Sequence, residues 1–344
     1  MSELKDFKCP NCGGRLEFDT KTQKLKCPFC EGTFDPEVFD EGSDFTITTQ
    51  SWDDENVLIY SCKSCGGSIM TDKDTVATSC PYCGNPVVLT SNVTGIYKPA
   101  RVIPFALDKK AAKEKFKQHL KGKKLLPKSF LSDAFIDEIK GIYVPYWLFD
   151  GKAQAMMWFD ATRTRQYYQG DDICTETSYY KLFRSGSVKF ADVPVDASSK
   201  IDDKLTESLE PFDLSAAKAY NDNYLAGYLA DKYDLTPEET RKRADERINN
   251  STTSLFASTT GMYDTCVPTA GNVNIQDGKQ EYVMYPIWLL SAVYMGVRYT
   301  FAMNGQTGKF VGDLPYDKGS LIRHLIMVFV IVFVIATLVQ YLLF

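Results

Sequence analysis

The chain has 344 residues, of which 44% are hydrophobic, and its net charge is −5. This length suits two or three domains with buried cores, and the 13% of aromatic residues favours sheet structure. The first residues contain no apolar run, which argues against a signal peptide, so the N-terminal part is expected to stay in the cytosol.

Eight of the ten cysteines form four C-x-x-C pairs. The pairs form two sets with fourteen residues between the pairs of each set, and the second set repeats the first 53 positions later. The eight positions are Cys9, Cys12, Cys27 and Cys30, then Cys62, Cys65, Cys80 and Cys83. In a reducing compartment this spacing indicates metal binding rather than disulfides, and the repeat indicates an internal duplication.

Two residues between paired cysteines let both sulfurs reach one ion from a single turn. Glycine after the turn permits a positive φ and lets backbone N–H groups approach the thiolates. Two such turns make a tetrahedral S₄ site, which suits zinc, so we predict two structural Zn²⁺ ions. An iron–sulfur or redox site, or unrelated thiols, are the competing interpretations. Cys174 and Cys266 are interpreted as two reduced thiols.

Each cysteine set is predicted to be one zinc ribbon, the first over residues 1–45 and the second over residues 46–95. Residues 15–19 and 24–26 alternate like the two strands of a hairpin, and residues 68–70 and 75–77 are the matching pieces of the second ribbon. A filled Cys₄ shell leaves no open position for substrate. Because the sequence also offers no nucleophile–base pair, we predict that the protein is not an enzyme.

The charge of the two ribbons argues against nucleic acid as the partner. Residues 1–95 contain eight Lys and Arg but fifteen Asp and Glu, a balance of −7. Phosphate binding requires a cationic surface, so an acidic ribbon pair favours a protein partner.

Residues 96–318 are predicted to form an α+β domain. A short helix is expected over residues 108–120, with Asp108 as N-cap and lysines around a narrow apolar face. Residues 96–150 have a net charge of +6. This helix is interpreted as a solvated surface element, with contact to anionic lipid headgroups or an acidic partner as the alternative.

Two segments of this domain resemble each other. Residues 141–150 (GIYVPYWLFD) precede alternating residues 153–161, and residues 282–290 (YVMYPIWLL) precede residues 294–303. Each is predicted to be a hairpin of an antiparallel sheet, with Trp147 and Trp288 in the core. Residues 213–250 between them have helical spacing, with a capping pattern at Thr236, and residues 304–308 (NGQTG) predict a tight turn.

Residues 325–344 contain no charge and are predicted to be a transmembrane helix, within an anchor over residues 319–344. Lys318, Arg323 and His324 precede the apolar run. By the positive-inside rule the N-terminal side is cytosolic, which predicts a tail-anchored, single-pass protein of the cell membrane.

These features together resemble a known family. The ribbon pairs, the YVPYWLFD segment, the EPFDLS…YLAGYLADKYD stretch and the YPIWLL…NGQTGKFVGDLP stretch, closed by one membrane helix, are similar to the YdjG-type zinc-ribbon membrane proteins of Gram-positive bacteria. The resemblance covers nearly the whole chain. It implies a cytosolic zinc-ribbon domain on a membrane anchor, in a membrane-stress system with PspA-like and flotillin-like (SPFH) proteins.

The sequence thus predicts a membrane-anchored adaptor that recruits protein partners to the cytosolic face of the membrane. The alternative is a membrane-tethered, nucleic-acid-binding zinc-ribbon protein of replication or transcription. The predicted fold is α+β, with two tandem Cys₄ ribbons, antiparallel hairpins and one C-terminal transmembrane helix.

Overall fold

The computed structural model describes residues 4–37, 57–61, 68–72, 75–79, 86–89 and 97–343. Over these ranges the chain has the predicted α+β fold, with antiparallel sheets. The strands are β1 (Leu4–Asp6), β2 (Glu17–Asp19), β3 (Lys24–Lys26), β4 (Thr33–Phe34), β5 (Val57–Ser61), β6 (Ser68–Asp72), β7 (Thr75–Ser79), β8 (Pro86–Leu89), β9 (Arg101–Val102), β10 (Lys140–Gln169), β11 (Asp172–Asp196), β12 (Lys218–Ala219), β13 (Leu229–Asp231), β14 (Thr265–Tyr294), β15 (Val297–Asn304) and β16 (Phe310–Val311).

The helices of the described ranges lie mainly between the strands of the central domain. They are α1 (Lys109–Leu120), α2 (Asp133–Asp137), α3 (Asp203–Ser208), α4 (Pro237–Ser258) and α5 (Lys318–Leu343), with 3₁₀ turns at Lys128–Leu131, Leu214–Ala216 and Asp222–Leu225. The predicted first helix is confirmed, because the Asp108 carboxylate accepts a hydrogen bond from Ala111 N at 2.6 Å. The predicted capping box of α4 is also present, between Thr236 and Glu239.

The large sheet has the order β1-β8-β7-β13-β10-β14-β15-β16, with β11 also paired to β10. The strands β10, β11 and β14 are 30, 25 and 30 residues long and together form a long three-stranded arm. Helix α4 covers one face of this arm, where Phe256 packs with Phe159 and Leu182. The arm thus has a buried face and an open face.

The first predicted hairpin is a single strand. Residues 141–150 and 153–161 both belong to β10, which does not turn at Gly151 but shifts its register between Phe149 and Gly151. Such a bulge bends a strand without ending it, and sequence alternation alone does not distinguish the two outcomes. The second hairpin is confirmed: β14 and β15 are joined by Met295 and Gly296, with φ values of 50° and 79°.

Two further predictions need correction. The segment 213–235 is not a continuous helix: Gly227 adopts a φ of 88° between the 3₁₀ turn Asp222–Leu225 and β13, so the helix begins only at Pro237. In the second ribbon, β6 and β7 are strands but do not pair as a hairpin. Strand β6 pairs with β5, whereas β7, which buries Val76 and Ala77, pairs with β8 and β13 of the large sheet.

The predicted core positions of the two tryptophans are confirmed. Both Trp147 and Trp288 are almost fully buried, and their indole N–H groups donate to Leu235 O at 2.9 Å and to Leu107 O at 3.2 Å. The tight turn over residues 304–308 is also present, with Gly308 at a φ of 76°.

Asp196 is a buried carboxyl group at the end of β11, opposite Tyr146 of β10. Its Oδ1 accepts from Ser198 N at 3.0 Å, and Oδ2 is shielded from solvent. Burial is the main cause that raises the pKa of Asp196 to about 7, and the nearby Asp203 adds to it. The folded protein therefore holds a proton at a pH where the unfolded chain has lost it.

Because the folded-state pKa of Asp196 is raised, folding stability falls as pH rises through 7. Between pH 6 and pH 8 this single group is expected to lower the free energy of unfolding by about 1.4 kcal/mol. Urea unfolding of the detergent-solubilised chain, followed by tryptophan fluorescence at both pH values, measures this loss. In the Asp196→Asn variant the loss from this group should vanish. An identical pH dependence in both proteins would contradict a raised pKa.

Candidate metal centre

The first ribbon contains two tight turns of the same backbone design. In the first, Gly13 N donates to Cys9 O at 2.7 Å and Cys9 N donates to Gly14 O at 2.7 Å. In the second, Glu31 N donates to Cys27 O and Cys27 N donates to Gly32 O, both at 2.9 Å. The first turn precedes β2, and the second connects β3 to β4. The sulfurs of each cysteine pair face those of the other pair.

Both turns require a left-handed residue directly after their second cysteine. Gly13 adopts a φ of 71°, as the sequence predicts. In the second turn the left-handed residue is Glu31, with a φ of 59°, and the following Gly32 is not the strained position. A Cβ on Gly32 would instead lie 3.2 Å from Asn11 Nδ2 of the first turn and 3.4 Å from Cys30 Sγ, so this glycine lets the two turns approach each other.

The structure brings the four sulfurs of Cys9, Cys12, Cys27 and Cys30 together, all within 4.8 Å of one another. The Sγ atoms of Cys9 and Cys30 are 3.4 Å apart, and those of Cys12 and Cys27 are 3.5 Å apart. Zinc–sulfur bonds of about 2.3 Å in a tetrahedron would place the sulfurs ~3.8 Å apart. The cluster is therefore of a size and donor type that could hold a metal ion.

Backbone N–H groups stabilise thiolate charge in this cluster. Burial raises the pKa of the Cys27 thiol. Hydrogen bonds from the backbone N–H groups of Cys30 and Phe29 and from the Cys12 side chain lower it by more, so the resulting pKa is about 7. A thiolate is the form of cysteine that binds metal. The cluster can thus supply such a ligand near neutral pH.

Of the other predicted ligands, Cys62, Cys65, Cys80 and Cys83 lie outside the described residues. The two remaining cysteines are free thiols in the arm, Cys174 in β11 and Cys266 in β14. They pair with Tyr167 and Ala161 of β10, respectively, so the structure does not bring them together.

The first ribbon packs against the central domain. Phe18 N donates to Ala226 O at 3.1 Å, and the Phe18 ring lies 5.3 Å from that of Tyr224. The Gln23 amide donates to Phe105 O at 3.0 Å. Sequence reasoning missed this contact, because nothing in residues 222–226 marks them as the partner of a ribbon.

The predicted C-terminal helix is α5. Its most apolar stretch of 18 residues has a mean hydropathy of 2.6, and none of this stretch is buried inside the protein. By length and composition, this helix could cross a membrane, and 26 residues extend about 39 Å. Its start is tied to the domain, since Asp317 N donates to Leu125 O at 2.7 Å and the Asp317 carboxylate accepts from Ser320 N at 2.8 Å.

No protein-family model matches the chain, and no solved structure matches it. A protein of Bacillus subtilis (strain 168) that carries the name uncharacterized protein YdjG is 37% identical over 315 residues. The alignment covers 92% of this chain and 91% of the Bacillus protein.

Proposed function

The chain belongs to the family of the Bacillus subtilis protein YdjG, and we propose that it is a membrane-anchored adaptor. Zinc stabilises its ribbons, α5 spans the cell membrane, and the cytosolic domain recruits protein partners in a membrane-stress response. The observation that carries the proposal is the combination of a closed four-cysteine cluster with a long apolar helix that has no partner in the described structure.

Zinc is the metal that suits the cluster best. Four thiolates in a tetrahedral arrangement are typical of structural zinc, and they leave no position open for water or substrate. The role of the metal is then to hold the ribbon together. In the second ribbon, Cys62, Cys65, Cys80 and Cys83 would bind a second ion by the same spacing.

The orientation in the membrane follows from charge. Lys318 and Arg323 lie at the N-terminal end of α5, and the rest of the helix to Leu343 contains no Lys, Arg, Asp or Glu. Because positive charges favour the cytosolic side, this distribution supports a cytosolic location for the ribbons and the central domain.

The open face of the arm supports a protein partner. Trp158 and Phe183 pack together on it, with ring centroids 4.8 Å apart and ring planes inclined by 44°, and they remain about half exposed. Met156 lies beside them on the same face, and Tyr179 lies beyond the ion pair of Asp160 and Lys181. Exposed aromatic and apolar side chains grouped in this way are typical of protein interaction sites. PspA-like and SPFH proteins are the partners proposed for it.

Affinity purification from detergent-solubilised membranes tests the adaptor function. The full chain should recover PspA-like or SPFH proteins, and a chain lacking residues 319–344 should be found in the soluble fraction, with its partners no longer at the membrane. A Trp158→Ser/Phe183→Ser variant should lose the partners while staying in the membrane. A Leu255→Ser variant, which changes an exposed residue of α4 outside this face, is the matched control.

Two results would contradict the proposal. Recovery of DNA or RNA with replication or transcription proteins would favour the tethered nucleic-acid-binding alternative. Extraction of the full chain from membranes by alkaline carbonate would contradict a membrane-spanning α5.

A further inference from the structure

A basic surface follows the end of α1. We define the basic loop as residues 121–128, in which Lys121, Lys123, Lys124 and Lys128 are all exposed. The surrounding residues 109–138 contain nine lysines and four carboxylates, a net charge of +5 in a chain whose total is −5. The basic loop is thus a local reversal of the overall charge.

The basic loop lies beside the start of α5. Leu125 O accepts the hydrogen bond from Asp317 N, immediately before the helix. Lys124 and Leu125 also line a small cavity together with Arg323, His324 and Met327 of the first turns of α5. The lysines of the basic loop are about 190 residues away from α5 in sequence. The tertiary structure therefore brings them next to the positive charges at the start of the apolar helix.

The carboxylates of α2 do not neutralise this loop. Asp137 pairs with Lys113 at 2.7 Å, and Asp133 pairs with Lys117, so both carboxylates of α2 are engaged by lysines of α1. Lys123 Nζ lies 2.8 Å from the His119 ring. Within the part of the chain that the structure describes, Lys121, Lys124 and Lys128 have no acidic partner.

An apolar groove opens between these lysines. Leu120 and Ile136 are buried at its base, and Leu131 is half exposed. The rest of a space of about 510 Å³ is lined by residues of the loop and of the end of α1: Lys117, Gln118, Lys121, Gly122, Lys123 and Lys124. A groove with an apolar base and a cationic rim is complementary to an amphiphile that has an anionic headgroup and a hydrocarbon chain.

We propose that the basic loop binds the headgroups of anionic phospholipids in the bilayer that α5 enters. Lysine ammonium groups contact the lipid phosphates, and the groove receives the apolar part of one lipid. The position beside the first turns of α5 selects the bilayer surface over a soluble acidic molecule, because the helix holds the loop at the depth of the headgroups. This inference rests on the membrane anchoring proposed above.

Native mass spectrometry of the full chain in detergent tests the inference. The protein is mixed with equal amounts of a phosphatidylglycerol and a phosphatidylcholine of identical acyl chains, and the ratio of the two bound lipids is measured. The wild type should favour the anionic lipid. The variant Lys121→Gln/Lys123→Gln/Lys124→Gln/Lys128→Gln should lower this ratio by at least about tenfold, since each surface lysine near anionic lipid contributes on the order of a fivefold factor.

A matched control variant removes four exposed lysines elsewhere. Lys181, Lys189, Lys218 and Lys242 lie on the arm, on β12 and on α4, so their replacement by glutamine changes the net charge equally without touching the loop. The lipid ratio of this control should stay within about twofold of the wild type. Equal losses in the two variants, or no anionic preference in the wild type, would overturn the proposal.

A footprint of the wild type avoids any effect of substitution on folding. In nanodiscs that contain phosphatidylglycerol, Lys121, Lys124 and Lys128 should react more slowly with a water-soluble amine reagent than in phosphatidylcholine nanodiscs, whereas Lys181 and Lys242 should react equally in both. Equal reaction of the loop lysines in both lipids would overturn the proposal. If the quadruple lysine variant instead loses a co-purified acidic protein and keeps the lipid ratio of the wild type, the loop binds a protein partner and not lipid.

The two proposals fail in different ways. If α5 does not span the membrane, alkaline carbonate extracts both the wild type and the loop variant. If only the lipid site is wrong, both proteins resist extraction, and the lipid ratio does not distinguish them.

Discussion

Replacing Cys27 with serine is expected to remove one zinc ion per chain and to unfold the first ribbon. Cys27 is fully buried and lies 3.5 Å from the sulfur of Cys12, so the variant retains only three of the four thiolates of the cluster. Structural zinc in small modules contributes on the order of 10–16 kcal/mol to folding, far more than the few apolar contacts of the ribbon supply. Metal analysis by mass spectrometry and limited proteolysis measure the two effects.

The control for this experiment is Cys174→Ser, which changes a thiol of the arm outside the cluster. It should leave the zinc content and the protease resistance unchanged. The same zinc content in the Cys27→Ser variant and the wild type would contradict the proposed site.

Unfolding of the ribbon should also reach the central domain. The hydrogen bond from Phe18 N to Ala226 O and the hydrogen bond from the Asn223 amide to Pro36 O, at 2.6 Å, both join residues 223–226 to the ribbon. Hydrogen exchange of residues 222–228 should therefore accelerate when zinc is removed. If zinc removal accelerates exchange only within the ribbon, the contact between the ribbon and residues 223–226 contributes little to the stability of the central domain.

The second large effect is expected from Trp147→Ala. The Trp147 ring packs at 5.1–5.2 Å from those of Tyr97, Tyr233 and Tyr282, and its N–H donates to Leu235 O. Truncation leaves a large cavity and an unpaired carbonyl group, so a loss of about 3–5 kcal/mol in unfolding free energy is expected. Urea unfolding of the detergent-solubilised chain, followed by circular dichroism, measures it.

Trp158→Ala is the matched control for this loss. Trp158 lies in the same strand but on the open face of the arm, where it is 49% exposed, so its removal should cost less than about 1 kcal/mol. Equal losses from the two substitutions would mean that burial in the sheet does not determine the contribution of these tryptophans.

Local sequence signals predicted the elements that depend only on neighbouring residues. The C-x-x-C spacing of residues 9–30 brought four sulfurs together because each turn closes within five residues. Asp108 and Thr236 marked helix starts, since an N-cap needs only the next three residues. The alternating segments 282–290 and 294–303 predicted the second hairpin, but not that its turn lies at Met295 and Gly296.

Alternation did not predict how far a strand extends. Residues 141–169 alternate through Gly151, and whether the chain turns or bulges there depends on the partners on both sides, β11 and β14. Helical spacing around Tyr224 and Tyr228 was equally ambiguous. Stacking of Tyr228 on Phe105, with ring centroids 4.1 Å apart, and the left-handed Gly227 determine a short 3₁₀ turn and a strand instead.

The sequence by itself determined the four-cysteine cluster of residues 9–30, the apolar helix α5 and the capped helices, because each is encoded by residues close together in the chain. Only the tertiary structure decided which distant segments meet. It places the first ribbon on residues 222–226 and the basic loop beside α5, contacts that join residues far apart in sequence. Such contacts depend on complementary surfaces that form only after the elements have folded, so no local sequence pattern predicts them.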